Sequence, residues 1–118
     1  MPNELKKRLK SFVYAWKGIK SFLRTEHNAW IHCTAIAVVT VAGFCFGISR
    51  TEWLAVILCF AVVLAAEAFN TAIERLVNLV SPDYHPLAGD VKDVAAGAVL
   101  ICALGATAIG LLIFIPYF

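Results

Sequence analysis

Trp53-Leu54-Ala55-Val56-Ile57-Leu58-Cys59-Phe60-Ala61-Val62-Val63-Leu64-Ala65-Ala66-Glu67-Ala68-Phe69-Asn70-Thr71-Ala72-Ile73-Glu74 is the stretch that decides the fold. No charge falls between Glu52 and Glu67. A bilayer crossing needs about 20 predominantly apolar residues as a helix, and this run supplies them. On one helix, positions 67, 70 and 74 share a face, with the two carboxylates roughly 10 Å apart along the axis. Two readings fit them. Acidic groups at membrane depth are costly and tend to face a polar interior where they do chemistry. Alternatively the helix has reached the interface by Glu67, and water solvates both.

Two further runs have the same character, Trp30 to Ile48 and Val94 to Phe118. The chain has 118 residues, of which 61% are hydrophobic, more apolar surface than a soluble domain of this size carries. The expected architecture is therefore an all-α membrane protein with three transmembrane helices, 30–48, 53–80 and 94–118. Residues 1–29 supply an N-terminal amphipathic surface helix and linker, and 1–118 form one membrane unit.

Charge placement orients it. Seven of the ten basic residues, Lys6, Lys7, Arg8, Lys10, Lys17, Lys20 and Arg24, precede the first span. The positive-inside rule then places the N-terminus in the cytoplasm and, after three crossings, the C-terminus outside. Leu5, Leu9, Phe12, Trp16, Ile19 and Leu23 recur at steps of three and four between those cations, the pattern of a helix lying on an anionic leaflet. Such a helix can also bind nucleic acid or a calmodulin-like partner. Beside a membrane span the surface reading is favoured, and no nucleic-acid partner is expected.

Several smaller features carry structural readings. Cys33, Cys45, Cys59 and Cys102 all lie in apolar runs without C-x-x-C or zinc-ligand spacing, so they read as small buried hydrophobes. Gly43 and Gly47 have the small-xxx-small spacing of close helix contacts. Pro82 and Pro86 interrupt the helical pattern after span two, leaving a polar, turn-rich 81–93 loop. His27 and His32 have no partner at metal-ligand spacing and read as structural.

The topology collects Glu26, Glu67, Asn70, Glu74, the Asp83-Tyr84-His85 loop, Lys92 and Asp93 at the cytoplasmic face. Carboxylates with a lysine and an amide suit a magnesium ion and a polyphosphate, because magnesium takes carboxylate and phosphate oxygens together and an ammonium offsets charge on a transferred phosphoryl group. A partly desolvated glutamate suits proton abstraction from a lipid hydroxyl. Neither G-x-x-x-x-G-K-[ST] nor G-x-G-x-x-G occurs, so nucleotide binding would not use those loops. Each residue also has a bland reading: Glu74 as a helix-end charge, Lys92-Asp93 as an interfacial ion pair, Trp16 as an interfacial anchor.

Taken together, Glu67-Ala-Phe-Asn70-Thr-Ala-Ile-Glu74, Tyr84-His85-Pro86-Leu87 and Lys92-Asp93-Val-Ala-Ala-Gly-Ala-Val99 resemble the bacterial integral-membrane diacylglycerol kinase and undecaprenol kinase family. Tyr14-Ala-Trp16-Lys17-Gly18-Ile19, with Glu26 beyond it, is similar to its N-terminal signature, and the likeness is collinear over nearly the whole chain. The resemblance implies a homotrimer of three-span subunits in the bacterial inner membrane, with composite active sites that phosphorylate a lipid alcohol from ATP and Mg2+. By motif position, Glu67 would be the catalytic base and Asn70 would orient the reacting groups. Glu26 and Glu74 would hold magnesium at the ATP phosphates. Lys92 and Asp93, with Tyr14, Asp83, Tyr84 and His85, would contact ATP, and Trp16 with Glu67 the lipid. Ala15, Asn78 and Asp90 depart from residues common in the family. The Lys92–Val99 stretch looks more like the undecaprenol kinase branch.

Two other functions compete. A non-catalytic scaffold or accessory subunit would tolerate loss of the carboxylates. A proton or cation channel would need a polar stripe through a span, whereas the first and third spans hold no ionisable residue except His32.

Overall fold

The computed structural model describes residues 3–118; Met1 and Pro2, the start of the expected 1–29 segment, lie outside them. Four helices follow in order: α1 (Asn3–Thr25), α2 (His27–Phe46), α3 (Arg50–Val80) and α4 (Pro86–Phe114), with a final 3-10 turn at Ile115–Tyr117. No strand occurs among the described residues. The chain is all-α, and α2, α3 and α4 (continued to Tyr117) are each long and apolar enough to cross a membrane.

The described chain measures 50 × 49 × 20 Å. Helices are about 10–12 Å wide with side chains, so three abreast cannot fill the second dimension. α1 therefore projects sideways from the bundle. Its apolar residues Leu5, Leu9, Phe12, Trp16 and Ile19 are all exposed, and only Phe22, near its end, is buried. Among the described residues nothing else covers that face, as a helix resting on a bilayer requires.

Each helix end has a local cause. α1 stops at Thr25 because Glu26 takes an extended conformation, φ −102° and ψ 117°. α2 closes on Gly47 at φ 63°, a left-handed position that glycine adopts without steric cost. Ser49 opens α3 with a reciprocal capping box: its hydroxyl accepts from Glu52 N at 3.2 Å, and its N–H donates to Glu52 Oε1 at 2.9 Å. Such a cap is worth about 1 kcal/mol. The same Oε1 accepts from Tyr117 Oη–H at 2.6 Å, tying the α2–α3 turn to the end of the chain.

α3 is the axis of the molecule. It packs along α4 far more extensively than along α2. The tight core sits at one end, where Ile48, Val56 and Ile113 are buried among Val39, Trp53, Phe60 and Phe114. Phe46 meets Phe114, Tyr117 and Phe118 there at centroid distances of 5.1–6.1 Å. Beyond it α2, α3 and α4 enclose open space.

Five expectations change. The third apolar helix begins at Pro86, not Val94, because proline at the first helical position loses no hydrogen bond and His85 Nδ1 caps by accepting from Leu87 N at 3.1 Å. The polar loop is accordingly only 81–85. The first apolar helix is 27–46 rather than 30–48. Gly43 and Gly47 do not form one contact stripe: Gly47 ends the helix, and Gly43 receives Trp53, whose Cη2 lies 2.6 Å from where a Cβ would stand. The cysteines are not buried by this chain; Cys45 is exposed and Cys33, Cys59 and Cys102 are half-buried. Val38, Leu58, Leu100 and Ile101 are likewise exposed, a surface suited to lipid or to other helices.

Candidate active site

One face of α3 presents Glu67, Asn70, Thr71 and Glu74. Glu67 is 5% exposed and Thr71 4%, the buried polar groups of the described chain. A buried carboxylate needs a donor. α2 supplies it: His32 Nε2 lies 2.8 Å from Glu67 Oε1. One turn further along α3, Asn70 Nδ2 donates to Glu74 Oε1 at 3.2 Å, while Asn70 Oδ1 is buried without a partner among the described residues.

These groups open onto a cleft of about 340 Å³ bounded by Asn28, Ile31 and His32 of α2, Glu67 and Asn70 of α3, and Ala96, Val99, Leu100 and Ala103 of α4. An apolar cleft of about 260 Å³ runs on from it, sharing His32 and Ala103 and continuing between Ile36, Val39, Cys59, Val63 and Gly110. A cleft carrying a few polar side chains thus continues into a groove lined by apolar ones, a shape suited to a site that takes an amphiphile by its head.

Glu26 sits at the break between α1 and α2, half-exposed, and its side chain makes no capping bond to its own helix. Arg75, next to Glu74 on α3, reaches the end of α1. The Arg75 guanidinium donates from Nη1 to Ser21 Oγ at 3.1 Å and from Nη2 to Thr25 Oγ1, so the neighbours of the two carboxylates are bonded to each other. No group of three His, Cys, Asp or Glu side chains able to hold a metal occurs among the described residues. Lys92 Nζ donates to Asn78 Oδ1 at 2.6 Å. Its partner is therefore an amide on α3, and no Lys92–Asp93 ion pair occurs; His32–Glu67 is the one such contact among the described residues.

Of the residues singled out from the sequence, Glu67, Asn70 and Glu74 stand together on α3, and Glu67 and Asn70 line the cleft. Lys92 is linked to the same helix one turn beyond Glu74. Tyr14 and Trp16 are more than half exposed on α1 and lie beneath Lys17 and Lys20, with each Nζ 5.9 or 5.7 Å from its ring centroid. Neither lines the two clefts described above. Asp83, Tyr84 and Asp93 are exposed, and His85 is engaged as the α4 cap. His32, read as structural, is instead the donor to Glu67. Arg75 and Asn28 had no signal of their own. For His32 there was one: it lies 15 residues before Gly47 and Glu67 lies 18 after Ser49, so a helical hairpin sets them at nearly equal depth.

The sequence profile described as prokaryotic diacylglycerol kinase matches residues 13–114. The chain belongs to that family. It is 44% identical over 114 residues to the undecaprenol kinase of Bacillus subtilis (strain 168), an alignment covering 97% of this chain and 93% of that protein. It is 40% identical over 113 residues to a diacylglycerol kinase of Synechocystis, covering 92% of this chain and 62% of that protein. It is 27% identical over 96 residues to the diacylglycerol kinase of Escherichia coli K12, covering 81% of this chain and 79% of that one. The family member described here is an integral-membrane lipid kinase: it phosphorylates a lipid alcohol, and kinase chemistry implies ATP as the donor.

Proposed function

We propose that residues 1–118 act as one lipid-kinase domain that transfers the γ-phosphate of ATP to undecaprenol at the cytoplasmic face of the bacterial inner membrane. The observation that carries this reading is a buried carboxylate, Glu67, in a cleft that continues past His32 and Ala103 into an apolar groove. The relative of nearly equal length that is named an undecaprenol kinase favours the polyprenol over diacylglycerol, as does the Lys92–Val99 stretch.

Glu67 takes the proton of the lipid hydroxyl as its oxygen attacks the γ-phosphorus, and Asn70 orients the reacting groups. Lys92 bears on the phosphates. Tyr14, Asp83, Tyr84, His85 and Asp93 complete the nucleotide contacts, with Trp16 as the lipid contact on α1. Because Tyr14 and Trp16 stand away from this chain's own clefts, their roles require a neighbouring subunit, which fits a homotrimer with composite sites. The basic α1 holds the mouth at the anionic leaflet, with the N-terminus inside and the C-terminus outside.

Glu26 and Glu74 fit a magnesium ion. Magnesium is commonly held by one or two carboxylates plus substrate phosphates rather than by an all-protein cage. Glu26, which makes no capping bond to its own helix, and Glu74 would supply the two carboxylates of such a donor set. The bound ion supplies charge neutralisation across the transferred phosphates.

Chelation of divalent ions should abolish transfer, and magnesium should restore it. Glu26→Gln and Glu74→Gln should each raise the magnesium concentration giving half-maximal rate, since each removes an anionic ligand. A magnesium titration at saturating ATP checks this. Unchanged half-saturation in both variants contradicts the shared metal site.

A further inference from the structure

We propose that His32 is a positioning residue for Glu67: its Nε2–H fixes the carboxylate through Oε1 and leaves Oε2 to receive the lipid hydroxyl proton. This rests on Glu67 acting as the base.

The terminal torsion of a glutamate is broad, so an unrestrained carboxylate would present either oxygen, in a range of directions, to the hydroxyl. The 2.8 Å bond from His32 removes that freedom. No hydrogen bond engages Oε2 among the described residues, and Glu67 lines the cleft. Nothing on the opposite wall can substitute, because α4 contributes Ala96, Val99, Leu100 and Ala103 there. On α3, Asn70 gives its amide N–H to Glu74. The imidazole Nε2–H is therefore the one side-chain donor bonded to Glu67 among the described residues. Its place is also chemically apt. His32 borders both clefts, so a lipid whose tail lies in the apolar groove brings its hydroxyl past the imidazole to the carboxylate.

The test uses reach. Gln carries an N–H at about the distance of histidine Nε2, and Asn falls one methylene short; the two amides otherwise share polarity. His32→Asn is expected to lower kcat about 10- to 100-fold, the scale of losing an orienting partner or of a 1 Å misplacement. KM for ATP and the melting temperature should hold. His32→Gln should recover most of the rate. In a Glu67→Gln background, His32→Asn should cost nothing further, because residues acting as a unit are non-additive. Equal rates for Asn and Gln, a loss confined to ATP KM, or losses that multiply in the double variant would each overturn the proposal. A spectrum of protein labelled with 15N-histidine covers the case in which His32→Asn does not fold. Glu67→Gln should shift the His32 Nε2 resonance and leave His85 in place, and an unmoved His32 signal overturns the contact. If Glu67→Gln alone keeps its activity, the reading of Glu67 as base fails. If that variant is inactive while His32→Asn matches wild type, only the role of His32 fails.

Discussion

Glu67→Gln should abolish nearly all phosphate transfer while the protein remains folded. The amide is close to the carboxylate in shape, and its carbonyl oxygen can still accept from His32 Nε2, so the contact between α2 and α3 survives. What it cannot do is take a proton from an alcohol. Positioned general bases contribute roughly 100- to 10,000-fold, and the loss in kcat should fall in that range. Because Glu67 is 5% exposed, bulk water does not easily replace it as acceptor. Steady-state rates on purified variant, beside its melting temperature, decide the matter. Retention of more than about a tenth of wild-type kcat would remove Glu67 from the role of base, since a base contributes at least about 100-fold.

Lys92→Met is the second large effect expected, and it should fall on the nucleotide. Lys92 Nζ is held at 2.6 Å by the neutral amide of Asn78, which orients the ammonium without cancelling its charge. An ammonium has three donors, so two remain for phosphate oxygens. A preorganised positive group where negative charge develops is worth roughly 100- to 1,000-fold. The Met variant should lose about that much kcat and bind ATP more weakly, with KM for lipid nearly unchanged. Arginine at 92 should restore only part of it, because a planar fork has a different reach from a point charge. An ion pair with Asp93 would instead predict lower stability with normal kinetics, and that pair is absent. Normal kcat and ATP dependence in Lys92→Met would sink the nucleotide role.

Much of this was legible in the chain, for identifiable reasons. Apolar runs at bilayer length dictate three helices, and the alternation of Leu5, Leu9, Phe12, Trp16 and Ile19 with lysines dictates α1. Spacing put Glu67, Asn70 and Glu74 on one face because a helix is periodic. Interhelical contacts were less visible. His32 meets Glu67 through the pairing depth of two helices, which depends on where Gly47 and Ser49 make the turn. Arg75 bonds to Ser21 and Thr25 through the angle at which α1 leaves the bundle, set by one extended residue, Glu26. Pro86 misled because proline both breaks and begins helices; the cap at His85 decides between them. Lys92 found Asn78 rather than adjacent Asp93 because successive residues on a helix point to different faces. Tyr14 and Trp16 lie on a face that a single copy of the chain leaves open.

The central claim is that this fold delivers a polyprenol hydroxyl to Glu67 for phosphorylation. The most direct measurement is transfer of labelled γ-phosphate from ATP by the purified protein in detergent micelles, with undecaprenol and diacylglycerol supplied separately over matched mole fractions. The account predicts a higher kcat/KM for undecaprenol, with the label in a lipid monophosphate. A higher value for diacylglycerol would contradict the assigned substrate, and no transfer to either lipid would contradict the account itself.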